Sequence, residues 1–76
     1  MVQLFTKPNC QPCKATKRVL NSKGVPYEEI DMSTNEDARE MVKRMGFMQA
    51  PVIITDDDSW SGFNPAKLGA LASISA

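Results

Sequence analysis

Val2-Gln3-Leu4-Phe5-Thr6-Lys7-Pro8-Asn9-Cys10-Gln11-Pro12-Cys13 holds an extended segment, a turn and the opening of a helix within one short stretch. Val2 to Thr6 alternates apolar and polar positions and is rich in residues that favour strands. Lys7-Pro8-Asn9 is a turn-forming trio that ends it. Pro12 suits the first turn of a helix, where its missing N–H is not needed. Ala15, Val19 and Leu20 then recur at roughly helical spacing as far as Gly24. The pattern predicts a strand over Val2–Thr6 and a helix over Gln11–Lys23, with Cys10 at the switch from extended to helical chain.

Working outward, Val25-Pro26 reopens an extended segment, and Tyr27 to Asp31 alternates like a strand buried on one face. Ser33 followed three residues later by Glu36 has the form of a capping box. Ala38, Met41, Val42 and Met45 then share a helical face that should end at Gly46. Pro51 to Thr55 is the strongest strand in the sequence. Asp56-Asp57-Asp58 is a solvated turn leading to a short strand at Ser59-Trp60-Ser61, so these two strands should form a hairpin. Asn64-Pro65 reads as an N-cap followed by proline at N1. It opens a last helix through Ala66, Leu68, Leu71 and Ala72, beyond which the Ala/Ser tail should fray. The order is β-α-β-α-β-β-α, an α/β arrangement in which the first β-α-β unit is expected to be parallel and the four-stranded sheet mixed, flanked by three helices.

A chain of 76 residues makes one domain, spanning 1–76, and a domain of this size buries only about 60% of its unfolded surface. Apolar residues form 42% of it and charged residues 24%, with nine basic and nine acidic side chains in balance. Zero formal net charge argues against a nucleic-acid footprint and against electrostatic capture by an acidic membrane. Met1 to Lys7 lacks the basic and long apolar regions of a signal peptide, and no apolar run approaches the ~20 residues needed to span a bilayer. The expected location is cytoplasmic, where structural disulfides are rare and a cysteine pair is more often catalytic or metal-binding.

Both cysteines stand together as Cys10-Gln11-Pro12-Cys13. Two thiols three residues apart on a first helical turn can close a small reversible ring, which is a redox signal beside a β-α-β pattern. Cys10 lies where unpaired backbone N–H groups and the positive end of the helix dipole favour thiolate, with Lys7 and Lys14 adding to this, so it is the expected nucleophile. Cys13, one turn inside the helix, is the expected resolving thiol, and Pro12 stiffens the ring. A structural disulfide gives little stabilisation across so short a loop. Zinc needs four ligands where this chain offers two thiols and no histidine, so no metal is expected. A cysteine hydrolase usually needs a histidine base. Elsewhere, Ala50-Pro51 reads either as a simple strand starter or as a cis peptide beside the thiols, and base frequency alone favours trans, since about 5% of X–Pro bonds are cis. Trp60-Ser61-Gly62-Phe63 reads equally as a hydrophobic lid, and Met41, Met45 and Met48 as core filling.

With Cys10-Gln11-Pro12-Cys13 after one strand, Ala50-Pro51-Val52 before another and Trp60-Ser61-Gly62-Phe63 ahead of the last helix, the chain resembles the NrdH-type redoxins. Thr6-Lys7-Pro8, Ala15-Thr16-Lys17 and Gln49-Ala50-Pro51 strengthen the match, which runs from Val2 to about Leu71. The resemblance implies a thioredoxin fold and a dithiol–disulfide oxidoreductase without cofactor, with Cys10 as nucleophile, Cys13 as resolving thiol and Pro51 cis. It also implies electrons drawn from thioredoxin reductase and passed to a class Ib ribonucleotide reductase, and a partner surface shaped by Trp60 to Phe63. Gln11-Pro12 departs from the Val-Gln or Met-Gln common in that family and is closer to glutaredoxins and thioredoxins. A glutathione-dependent glutaredoxin is the alternative enzyme. Glutaredoxins resembling this chain carry a Gly-Gly-x-Asp type segment where Ser61-Gly62-Phe63-Asn64 stands, so the acid for the glutathione amine is missing. A thiol-switch interaction protein resembling the Spx-type regulators is the alternative of another class, although those chains are considerably longer.

Overall fold

The structure, a computed structural model, describes residues 1–71. Strands β1 (Val2–Thr6), β2 (Tyr27–Asp31), β3 (Val52–Ile54) and β4 (Ser59–Ser61) form one sheet in the order β2-β1-β3-β4, with helices α1 (Gln11–Lys23), α2 (Glu36–Arg44) and α3 (Pro65–Ala70) between and after them. β1 and β2 run parallel, Val2 opposite Tyr27 through Thr6 opposite Asp31. The other two pairings are antiparallel, with Phe5 opposite Val52 and Ile53 opposite Trp60. This is the mixed four-stranded sheet with three helices that the element order predicts, and β3–β4 is the expected hairpin.

The sheet separates two apolar layers because strand residues point alternately to its two faces. On one face Val2, Leu4, Ile53 and Trp60 meet Leu20 of α1 and Leu68 of α3. On the other, Phe5 and Val52 meet Met32 and Val42 of α2. Helix α1 stops where the pattern predicts: Gly24 takes the left-handed conformation, φ 68°, and its N–H bonds back to the carbonyl of Asn21 at 3.2 Å. Leu20 is fully buried on the helix that carries both cysteines. Leu20→Ala should cost about 3 kcal/mol of a total on the order of 5–10 kcal/mol for a domain this small. Urea unfolding would show it as a lower midpoint at unchanged slope.

Four expectations change. Helix α2 does not start from a Ser33–Glu36 capping box. Its N-cap is Asn35, whose Oδ1 accepts the N–H of Ala38 at 3.0 Å. The Asp31 carboxylate has captured Ser33 first, accepting its backbone N–H at 2.8 Å and its hydroxyl at 2.6 Å, so the chain leaves β2 in a tight turn before a helix can form. Second, Met41, Met45 and Met48 are not core filling: all three are exposed. The sheet accepts only the Ala38–Val42 stripe of a nine-residue helix, and the methionines flank it. Third, β3 is shorter than Pro51–Thr55, because Thr55 turns to bond its N–H to the Asp58 carbonyl at 2.8 Å. Fourth, α3 ends at Ala70, and Leu71 is extended and packs against the core. Ala72 and the expected frayed tail lie outside the described residues.

The hairpin closes with a pH-sensitive contact. Lys67 of α3 donates to Asp58 Oδ2 at 2.9 Å, and the backbone N–H of Ser59 donates to Asp58 Oδ1 at 2.8 Å. The lysine bond first, and the backbone bond second, hold the Asp58 carboxyl below its ordinary value. A carboxylate with a depressed folded-state pKa contributes stability that is present above its unfolded value and lost as pH falls through the folded one. Acidification below about pH 4 should therefore loosen the hairpin slightly, and less so in Asp58→Asn. Thermal midpoints of the two proteins across that range check it, and parallel midpoint curves would refute it.

Candidate active site

The site is built where β1 ends. Asn9 takes a left-handed backbone conformation, φ 57°, and turns the chain so that Cys10 becomes the N-cap of α1. Asn is among the few non-glycine residues that adopt this conformation readily. The sulfur of Cys10 does what a serine or aspartate oxygen does at such a position, accepting the backbone N–H of Cys13 at 3.1 Å. The Cys10 carbonyl accepts from Lys14 N at 3.2 Å. Pro12 removes one first-turn N–H, so the hydrogen bond to Cys10 Sγ comes from the third residue of the turn.

The two sulfurs are joined as a disulfide, with the Cα atoms 5.2 Å apart. Cys10 keeps 5% of its surface exposed and Cys13 keeps 2%, so the difference in access expected from their positions has the right direction but is small. The hydrogen bond distinguishes them more sharply than burial does. Cys13 shares the sheet-facing side of α1 with Thr16 and Leu20, and Thr16 Oγ1 donates to the Pro12 carbonyl at 2.8 Å, holding the first turn closed. Below it, Glu29 Oε2 accepts from Thr6 Oγ1 at 3.1 Å and pairs with Lys17 Nζ at 3.2 Å, which ties α1 to β1 and β2.

Antiparallel pairing of β1 with β3 brings the start of β3 to the end of β1, so Pro51 lies at the disulfide end of the sheet. The Ala50–Pro51 bond is cis, against the base frequency and in line with the resemblance. The Pro51 carbonyl accepts the N–H of Gly62 at 2.8 Å, and Gly62, with φ 83°, can make this turn because it has no Cβ. Lys7, Gln11 and Pro12 are exposed around the cysteines, and Ala50 is half-buried.

Trp60 requires a correction. The pairing of Trp60 with Ile53 turns its ring to the α1–α3 side, where it is buried, with the Lys67 ammonium 5.4 Å from the ring centroid. It belongs to the core, and the exposed residues of Trp60-Ser61-Gly62-Phe63 are Ser61 and Phe63, the latter 41% exposed. Sequence reading also missed the residues Met32, Arg39, Val42, Lys43 and Phe47, which line a groove of about 410 Å³ together with Lys7, Pro8 and Ala50. Met48, 80% exposed beyond the end of α2, also lines it. Among the described residues no cluster of three or more candidate metal ligands occurs, and no helix is long and apolar enough to cross a membrane.

Comparison with known proteins agrees with this geometry. The NrdH-redoxin structure from Escherichia coli superposes with a TM-score of 0.90, at 37% identity and 92% coverage of each chain. The glutaredoxin-like protein NrdH of Lactococcus lactis subsp. lactis is 40% identical over 72 residues, 95% of this chain and 100% of that one. Its counterpart in Salmonella typhimurium is 37% identical over 70 residues, 92% and 86% of the two chains. The Glutaredoxin family model matches residues 2–60, from the first strand past both cysteines to Trp60. A reversible cysteine pair at a helix start, on a sheet shared with these proteins over nearly its whole length, makes this chain a thiol–disulfide oxidoreductase that belongs to the glutaredoxin family, as an NrdH-type member.

Proposed function

We propose that the chain carries two electrons at a time from thioredoxin reductase to a disulfide in a protein partner, and that this partner is a class Ib ribonucleotide reductase. The Cys10 thiolate attacks one sulfur of the partner disulfide; a Cys10–partner bond forms and the partner's second sulfur leaves as a thiolate that takes up a proton. Cys13 then loses its proton and attacks Cys10 Sγ. The mixed disulfide breaks, the partner departs as a dithiol, and the Cys10–Cys13 disulfide forms. Thioredoxin reductase returns both electrons and closes the cycle.

The observation that carries the choice of donor is the turn at the disulfide end of the sheet. Ser61, Gly62, Phe63 and Asn64 present no carboxylate there, so a glutathione ammonium would meet no acid from them. The E. coli relative is described as having a thioredoxin-like activity profile, which supports the same choice. The ribonucleotide reductase assignment rests on the NrdH resemblance. Such a role belongs in a reducing, cytoplasmic compartment.

The test is NADPH oxidation by thioredoxin reductase in the presence of catalytic amounts of this protein and an excess of oxidised class Ib ribonucleotide reductase. Many turnovers per molecule are expected. A single oxidation without cycling would instead indicate a thiol switch, and turnover with small disulfides but none with the reductase subunit would remove the assigned acceptor.

A further inference from the structure

One thioether stands at the disulfide end of the sheet with most of its surface in water. Met48 is 80% exposed, against 40% for Met41, 42% for Met45 and 9% for Met32. The loop that carries it is anchored on both sides. Gly46, with φ 91°, closes α2: its N–H bonds to the Lys43 carbonyl at 3.0 Å and that of Phe47 to the Val42 carbonyl at 3.1 Å, and Phe47 packs against the core. Pro51, fully buried, fixes the other side just ahead of β3. Met48 is thereby held out on the rim of the groove that α2 shares with Lys7 and Pro8, which immediately precede Asn9 and Cys10. The charged residues lining that groove, Lys7, Arg39 and Lys43, are all cations. Met1, 68% exposed, lies at the opposite end of β1.

We propose that Met48 is an oxidative modification site: hypochlorous acid converts its thioether to the sulfoxide once the cysteine pair is already a disulfide, and the sulfoxide slows electron delivery to protein partners. The first equivalent of oxidant goes to the better nucleophile. The Cys10 thiolate is oxidised, Cys13 displaces the leaving group from its sulfur, and the disulfide forms with release of chloride and water. A second equivalent meets only thioethers. The Met48 sulfur gives an electron pair to chlorine, which leaves as chloride; the oxygen stays on sulfur and a proton is released. Cations around Met48 raise the local concentration of the hypochlorite anion. Thioredoxin reductase reverses the first event but not the second, which awaits a methionine sulfoxide reductase. The sulfoxide puts a polar, chiral group where an apolar side chain stood, next to the attacking sulfur's end of the sheet. Its effect rests on the partner being a protein that docks beside the disulfide.

The experiment treats the disulfide form of the protein and of Met48→Leu with limiting hypochlorite, maps the sulfoxides by peptide mass spectrometry, and then restores the dithiol with thioredoxin reductase. Rates are measured on insulin, a protein disulfide, and on 5,5′-dithiobis(2-nitrobenzoate), a small one. Each protein is compared with its own untreated form. Met48 should be oxidised ahead of Met41 and Met45, with Met32 last. Treatment should slow insulin reduction about fivefold, as expected where a polar group replaces an apolar contact, and leave the small disulfide unaffected. Treated Met48→Leu, in which Met1 is still open to oxidation, should keep its untreated rate on both substrates. Oxidation of Met41 or Met45 ahead of Met48, an equal loss in Met48→Leu, or a parallel loss on the small disulfide would each overturn the proposal while leaving disulfide reduction intact. An untreated protein that reduces the small disulfide but not insulin would overturn this proposal and the protein-partner function together.

Discussion

Cys10→Ser should lower disulfide-reducing turnover by several orders of magnitude, to background, whereas Cys13→Ser should react once and remain covalently attached to its partner. The two sulfurs differ little in burial, so the expectation rests on electrostatics and hydrogen bonding. Cys10 caps a thirteen-residue helix and its sulfur receives the Cys13 N–H at 3.1 Å. An N–H aimed at sulfur from a helix start stabilises the thiolate, the form that attacks. Cys13 donates that N–H and lies within the first turn, facing the sheet, placed to attack Cys10 Sγ once Cys10 has formed a mixed disulfide. Mass spectrometry of each variant after mixing with an oxidised partner separates the cases. A stable adduct of Cys10→Ser, with none for Cys13→Ser, would reverse the two roles.

The second large effect concerns the electron donor. Thioredoxin reductase should reduce the Cys10–Cys13 disulfide rapidly, and millimolar glutathione should do so poorly. The missing acid sets the scale: leaving a charged hydrogen-bond partner unsatisfied costs about 1.5–3 kcal/mol, equivalent to roughly 10- to 150-fold in rate or affinity. Asn64 already has a structural task, accepting the N–H of Lys67 at 3.1 Å as the N-cap of α3. Aspartate caps a helix as well as asparagine does, so Asn64→Asp supplies the carboxylate and keeps the cap. Phe63→Ala combined with Asn64→Asp should raise glutathione-driven turnover by up to about tenfold. The unmodified protein cycling efficiently with glutathione and glutathione reductase, and failing with thioredoxin reductase, would refute the donor assignment.

How much of this could be read from the residues depends on how locally each feature is encoded. The strand β1, the helix α1 and the switch between them at Cys10 follow from alternation, a turn trio and a proline in the first helical turn, all acting within a few residues. The start of α3 is just as local, Asn64 capping and Pro65 following it. Those signals placed the redox pair correctly at a helix start. The start of α2 escaped because two caps competed, and the winner was settled by the Asp31 carboxylate at the end of the preceding strand.

Which way a side chain faces was decided by the sheet. Trp60 is in the core because it pairs with Ile53, and no spacing along the chain specifies that register. Met41 and Met45 have helical periodicity but stay exposed, because a narrow sheet face takes up only Ala38 and Val42. The cationic groove joins residues 7 and 8, 32 and 33, 39, 42 and 43, and 47 to 50, segments that meet only when β3 returns antiparallel to β1. The sequence by itself therefore determined the reactive pair and the helix that activates it, since backbone geometry and capping are short-range. Only the tertiary structure decided what surrounds that pair, because burial and charge clustering depend on contacts between segments distant in the chain.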